Sequence, residues 1–253
     1  MTMEFNAIYV LWLRDTIRFV RAKSRIIGML MMPLFFLLGL GLGLGSLVQL
    51  GSGISYFDFI VPGIIGMSLL FTSIFTGSAV LWDRQFGFLK EIMVTPNSRT
   101  SIVIGRIMGG ATTAILQSIL VIVIAMLIGF HVVLSAYTAL AIVFMALIAA
   151  TFISLGLTLG SVINDFQGFQ LVTSFFTMPL FFLSDSIFPA SALPVFVRNI
   201  TFLNPLTYGI DGLRIALTGS GTFPVWIDLL AMAISTVIFV LIATYAFSRT
   251  DVG

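Results

Sequence analysis

Long apolar runs separated by short polar stretches set the layout of this chain. Six runs approach or exceed the roughly 20 apolar residues that a helix needs to cross a hydrocarbon core. They are 26–48, 57–81, 107–130, 137–162, 168–188 and 226–247. Helices are expected throughout, because an open strand cannot satisfy its backbone polar groups in lipid. Pro33 and Pro62 fall inside the first two runs and should kink them.

The segment before the first run is amphipathic. At a helical period, Phe5, Ile8, Tyr9, Trp12, Phe19 and Val20 share one face, with Arg14, Arg18, Arg21 and Arg25 opposite. That pattern predicts a helix over 1–25 lying in the membrane interface, aromatic side in the headgroup zone. A plain basic flank that only sets topology is the alternative. The charge is spread along the segment with no cleavage site, unlike a signal peptide.

Two polar stretches interrupt the apolar pattern. Residues 82–106 read WDRQFGFLKEIMVTPNSRTSIVIGR. A helix is expected over 84–94, with Phe88, Leu89, Ile92 and Met93 at helical spacing. Thr95-Pro96 should stop it, and Asn97-Ser98 should cap the next helix. Residues 189–225 are too polar for a clean span and too apolar for a solvated loop. There Asn204-Pro205 reads as a helix start, and Leu206, Ile210, Leu213 and Leu217 repeat at helical spacing. The Gly-Ser-Gly at 219–221 should end that helix. Two short helices dipping back into the outer leaflet are expected, the alternative being a loop packed on the outer surface. Asp211 and Arg214, three residues apart, should form a local ion pair.

Composition places the chain in a membrane. Hydrophobic residues make up 59% of 253 and charged residues 9%, against about 25% charged in a soluble domain. Mean hydropathy is +1.15. With no cysteine and one histidine, His131, neither a thiolate nor a histidine metal site can be assembled, and the net charge of +2 gives no nucleic-acid footprint. The placing of the charge is informative. With the N-terminus inside, ten of the twelve Lys and Arg residues fall on inner segments, and only Arg198 and Arg214 fall outside. By the positive-inside bias both termini and the 82–106 stretch are cytoplasmic.

Catalytic chemistry is missing. No G-x-x-x-x-G-K-[ST] phosphate loop occurs in the chain, and no Ser–His or His–Glu constellation sits at usable depth. Asp58, Asp165, Asp185 and Asp228 fall at span ends or in short loops and read as interfacial. A proton-driven carrier usually needs a charged relay near mid-membrane. A stand-alone secondary carrier or channel is therefore the second reading, and a lipid-handling enzyme the third. Small residues invite close helix packing: Gly39, Gly41, Gly43 and Gly45 in the first run, and Gly156 with Gly160 in the fourth. The stripe Thr151, Ser154, Thr158 and Ser161 is expected to pack, the alternative being to line a pathway.

The stretch Asp83-Arg84-Gln85-Phe86-Gly87-Phe88-Leu89-Lys90-Glu91-Ile92-Met93-Val94-Thr95-Pro96, followed by Arg99 and Gly105-Arg106, resembles the signature of ABC-2 type transporter permeases, approximately E-R-E-x-G-T-L-E-x-L-x-x-T-P, then R and G-K. Gln85 and Lys90 depart where that family tends to be acidic. A second stretch is similar to the end segment of the drug-export branch, typified by daunorubicin-resistance permeases. It comprises Phe182-Leu183-Ser184, Ile187-Phe188-Pro189, Leu203-Asn204-Pro205-Leu206-Thr207-Tyr208 and Asp211-Gly212-Leu213-Arg214, with Asp185 in place of a usual glycine. The resemblance covers nearly the whole chain. It implies an all-α integral membrane fold, one transmembrane domain over 1–253 with six transmembrane helices, an N-terminal interfacial helix, a cytosolic coupling helix and outer re-entrant helices. It implies a multi-pass exporter of a prokaryotic plasma membrane with drugs, lipids and lipid-linked glycans as open substrate classes, among which the apolar spans, with 25 Phe in the chain, lean towards amphipathic small molecules, drugs or lipids. A cytosolic ATPase would bind ATP and Mg and dock on Asp83, Arg84, Phe86, Gly87, Phe88, Leu89, Lys90, Glu91, Ile92, Thr95 and Pro96. This chain itself would hold no cofactor. A second permease copy would complete the pathway within membrane lipid. Asn204, Pro205, Tyr208, Asp211 and Arg214 would form an extracellular gate.

Overall fold

The computed structural model describes residues 5–45, 55–87, 98–134 and 136–249. Helices are the regular elements among them: α1 Phe5–Arg21, α2 Lys23–Phe36, α3 Gly43–Gly45, α4 Tyr56–Thr76, α5 Ala79–Gln85, α6 Arg99–Ile128, α7 Leu140–Val162, α8 Phe166–Phe182, α9 Val195–Leu203, α10 Pro205–Thr218 and α11 Val225–Ser248. The fold is all-α, as expected.

The axis bends by 73° between α1 and the helix that follows. If α2 crosses the bilayer, α1 runs close to its plane. One flank of α1 lies on α6. Gly105 and Gly109 make that approach possible: a Cβ on Gly105 would sit 3.2 Å from the Ile8 Cα, and one on Gly109 would sit 3.0 Å from the Asp15 Cβ. Trp12 Nε1 donates to Thr112 Oγ1 at 2.9 Å. Ile8 and Phe19 are buried, while Phe5, Tyr9 and Val20 are exposed. The predicted aromatic face is thus divided between a protein contact and the open surface.

Pro33 has no N–H, so the Met29 carbonyl four residues earlier loses its helical donor. In lipid that loss must be made good. Gln117 of α6 does so, Nε2 donating to the Met29 carbonyl at 3.2 Å and to Ser68 Oγ at 3.0 Å. Its Oε1 accepts from Thr72 Oγ1 at 2.8 Å. One buried amide therefore joins α2, α4 and α6. Past Pro33 the helix widens into a π-helical turn over Leu37–Leu42 before α3. Of its alternating glycines, Gly41 meets the Phe57 ring, whereas Gly39 and Gly43 face open space.

Helix α4 is buried along nearly its whole length, surrounded by α6, α7 and α10. A Cβ on Gly77, just past its end, would lie 2.0 Å from the Gly156 carbonyl carbon of α7. A Cβ on Gly156 would lie 2.4 Å from the Ile74 oxygen, and one on Gly160 would lie 2.6 Å from the Gly77 oxygen. The small pair is a backbone-to-backbone crossing. Thr151, Ser154, Thr158 and Ser161 each bond to a carbonyl one turn back in α7. Thr151 also meets Thr236 of α11 at 2.8 Å. With Thr151, Ser154 and Ser161 buried, the stripe packs, as expected.

Among the described residues, four helices are individually long and apolar enough to cross a membrane: Tyr56–Gln85 (α4 continued by α5), α6, α7 and α11. The expected fifth span, 168–188, is shorter as a helix. Its 17 residues end at Phe182, about 26 Å at 1.5 Å per residue. The chain turns at Leu183 and Asp185, the latter with φ of 58°. A second difference lies in the coupling segment. The helix expected over 84–94 does not begin at Arg84. Arg84 and Gln85 close α5, and Gly87, with φ of 78°, turns the chain out of the helix. Phe88, Leu89, Lys90, Glu91, Ile92, Thr95 and Pro96 lie outside the described residues. Ser98 caps α6, accepting from Ser101 N at 3.2 Å.

Contacts between helix ends define two poles. One gathers the starts of α4, α7 and α11, the end of α6 and the whole of α9 and α10. There Val133 N donates to the Leu217 carbonyl at 2.9 Å. The other gathers α5, the start of α6, the end of α7 and the end of α11, with Arg84, Arg99, Arg106 and Arg249. This second group is the basic pole.

Candidate functional site

At the basic pole, two neighbouring residues of α5 do different work. Asp83 is buried and accepts from Nη2 of Arg106, itself 1% exposed. The pair ties α5 to α6. Asp83 therefore faces inward and offers no charge to an outside partner. Arg84 reaches across to the end of α7. Its Nη1 donates to Asn164 Oδ1 at 2.7 Å and its Nη2 to the Ser161 carbonyl at 3.2 Å. A helix end leaves carbonyls without donors and carries partial negative charge. Arg84 answers both. Phe86 stacks on Trp82 at 5.7 Å, and Trp82 meets Phe166 at 5.4 Å. Trp82 and Phe86 are exposed, 44% and 64%, so an aromatic ledge faces outward where α5 ends. Arg14, exposed, pairs with the half-buried Asp15 at 3.4 Å. Arg18 lines a pocket of about 180 Å³ under α1, together with Asp15, Thr76 and Ser78. Arg21 is exposed, and the Arg25 side chain lies outside the described set.

An apolar pocket of about 210 Å³ adjoins that one, lined by Met32, Met67 and Phe71 with Gln117 at its wall. The two share Met29, Thr72 and Phe75. They form an amphipathic groove between α1, α2 and α4, polar at the basic pole and apolar beyond. Sequence reading missed it, because no single segment contains it.

At the opposite pole the sequence from Leu203 to Arg214 explains itself residue by residue. Asn204 caps two helices. Its Oδ1 accepts from Leu206 N at 3.0 Å, starting α10, and its Nδ2 donates to the Leu180 and Leu183 carbonyls at 2.6 and 2.8 Å, finishing α8. Pro205 occupies the first turn, where its missing N–H costs nothing. Thr207 and Tyr208 hydroxyls donate to the Thr201 and Phe202 carbonyls at 2.6 and 2.8 Å, closing α9. Gly212 admits the Phe144 ring, 2.2 Å from where its Cβ would be, and Gly66 of α4 likewise admits Ile210 at 2.4 Å. Leu206, Ile210, Leu213 and Leu217 are all buried. Gly219 ends α10 with φ of 74°. The element is thus a helix wedged among α4, α7 and α11.

The expected Asp211–Arg214 pair is present at 3.1 Å and belongs to a larger cluster. Arg214 Nη1 also donates to Asp185 Oδ2 at 2.9 Å, and Nη2 donates to the Asp185 carbonyl at 2.7 Å. The guanidinium carbon lies 4.1 Å from the Phe59 ring centroid. Asp211 accepts from Thr222 N and Phe223 N at 2.8 Å. One buried arginine thus joins α4, the turn after α8, α10 and the loop before α11. Burial holds the Asp185 carboxyl above its ordinary range, and the neighbouring Arg214 guanidinium offsets only part of that rise. Asp228, in the first turn of α11, is fully buried, with neither oxygen hydrogen-bonded among the described residues. The interfacial reading holds for Asp165, which is exposed. It does not hold for Asp185 or Asp228, which packing of α10 removes from solvent. Among the described residues, no group of three or more His, Cys, Asp or Glu could hold a metal.

Comparison with known proteins matches this arrangement to one family. The family model described as ABC-2 type transporter matches residues 6–218. The inner membrane transport permease YadH of Escherichia coli K12 is 28% identical over 253 residues, covering 98% of this chain and 97% of that protein. Nodulation protein J of Rhizobium leguminosarum bv. viciae is 27% identical over 241 residues, 94% and 92% of the two chains. Nodulation protein J of Rhizobium meliloti is 28% identical over 241 residues, 94% and 91%. With the family match spanning most of its length and an all-α body of membrane-crossing helices, the chain belongs to the ABC-2 type transporter family, as a multi-pass membrane transport permease.

Proposed function

We propose that this permease is the transmembrane subunit of an exporter powered by a separate ATP-binding-cassette ATPase. The observation that carries the reading is the pairing of family membership with a chain that has no phosphate loop of its own. Fuel must then be bound elsewhere. ATP and Mg sit on the partner ATPase, which docks at the basic pole beside α1, the Trp82–Phe86 ledge and the segment through Pro96. The positive-inside bias makes that pole cytoplasmic, with both termini on the same side. The six spans are then the helix from Lys23 through Gly45, α4 with α5, α6, α7, α8 and α11. Helices α9 and α10 are the re-entrant pair at the outer gate, and a second copy of the chain completes the path.

The cargo is a hydrophobic or amphipathic small molecule, a drug or a lipid. The groove shared by Met29, Thr72 and Phe75 supports this, since it offers polar groups at one end and an apolar wall at the other. A stand-alone carrier is the second reading, favoured by one observation: Asp228 is a buried carboxylate with no hydrogen-bond partner among the described residues.

The double substitution Leu89→Asp/Ile92→Asp tests docking. Membrane insertion should be kept and ATPase co-purification lost. Unchanged co-purification would remove the docking claim.

A further inference from the structure

A pocket at the basic pole holds two arginines that, among the described residues, pair with no carboxylate. It has a volume of about 510 Å³ and lies between the end of α5, the turn after α7 and the end of α11, with Arg84, Asn164, Ile242, Tyr245 and Arg249 on its walls. Arg84 bonds only to neutral oxygens there, and its Nε is buried without a partner. Arg249 lies over the Tyr245 ring, 4.7 Å from its centroid. Among the described residues neither arginine has a carboxylate within ion-pair distance. Two acids of the described residues near this pole are engaged otherwise: Asp83 holds Arg106, and Asp165 caps α8 through Gly168 N. Arg99 adds a third cation by donating to the Ser248 carbonyl.

The surface leading away from the pocket is apolar. Ile234, Ile238, Ile242 and Tyr245 share one stripe of α11 at helical spacing and all are exposed. Two guanidiniums therefore head an exposed apolar stripe that runs along α11 away from the pole. Tyrosine beside arginine is the side-chain pair expected at headgroup depth. Basic pockets between transmembrane helices are where anionic headgroups bind, and a guanidinium matches phosphate with paired donors. We infer that this pocket binds the phosphate of an anionic phospholipid, held between Arg84 and Arg249, with an acyl chain along the Ile234–Tyr245 stripe. The site rests on membrane embedding alone and needs no ATPase.

The test is thermal unfolding of the purified chain in mild detergent, titrated separately with short-chain phosphatidylglycerol, short-chain phosphatidylcholine and inorganic phosphate. Phosphatidylglycerol should raise the unfolding temperature of the wild type, while the other two should not. Arg249→Gln, whose side chain only stacks on Tyr245, should weaken the response at least tenfold in lipid concentration and keep the lipid-free unfolding temperature. Arg84→Gln/Arg249→Gln should abolish the response. An equal response in Arg249→Gln would overturn the site, as would equal stabilisation by phosphatidylcholine. Stabilisation by inorganic phosphate to the same extent would make it a free-anion site and refute the lipid.

Discussion

Asp185 shows how one residue can satisfy two demands at once. Its left-handed backbone, φ 58°, is a conformation that glycine adopts freely and aspartate tolerates better than most residues. Its carboxylate meanwhile accepts from Arg214 and from Ala190 N. Asp185→Gly should keep the turn and lose the ion pair. Asp185→Val should lose both and be the less stable, as measured by unfolding in detergent. Arg106 poses a sharper case. Removing one partner of a buried pair leaves an uncompensated charge at about 3–5 kcal/mol. Arg106→Leu alone should therefore be strongly destabilising, and Asp83→Leu/Arg106→Leu should recover much of the loss in a double-mutant cycle. Equal instability of single and double variants would mean that the pair does not couple α5 to α6.

At the scale of elements, packing is decided by glycine and by one amide. A side chain at Gly77 would be forced into the backbone of α7, and no rotamer change can relieve that. Gly77→Val should cost about 1–3 kcal/mol or more, whereas Gly43→Ala, facing open space, should be tolerated. Comparison of folded yield by size-exclusion chromatography separates the two. Gln117→Leu should cost about 1–3 kcal/mol by leaving the Met29 carbonyl without a donor. These elements were unequally legible in sequence. Helix α10 was readable from end to end because Asn204, Pro205 and Gly219 are local signals with local causes. The short α8 was not, because the apolar run continues past Phe182 while the turn that ends it is fixed by Asn204 and Arg214 from another segment. Asp211 with Arg214 could be paired from spacing alone. Asp185 could not, beyond the hint that the pattern this segment resembles has glycine there. Asp228 lies near the end of an apolar run, where water is the natural guess, and only the packing of α10 buries it.

For the whole molecule, the division into two poles organises everything proposed. The basic pole is tied by an ion pair, a capped helix end and α1, and leads into the polar segment. The opposite pole is locked by Arg214. In the exporter proposed above, a push at one pole loosens the other, and α4 with α5, α6, α7 and α11 all run between the two poles. In the proposed complex with an ATPase, Arg214→Gln should loosen the lock at this pole and raise basal ATP hydrolysis uncoupled from cargo. Unchanged coupling in that variant would show the cluster to be purely structural.

The most direct measurement of the central claim is to tag the C-terminus, extract the protein from its own host in mild detergent and identify what comes with it. The account predicts a stoichiometric soluble partner that carries a phosphate loop, with ATP hydrolysis sensitive to orthovanadate. A lone permease that still moves solute on an ion gradient in proteoliposomes would contradict it.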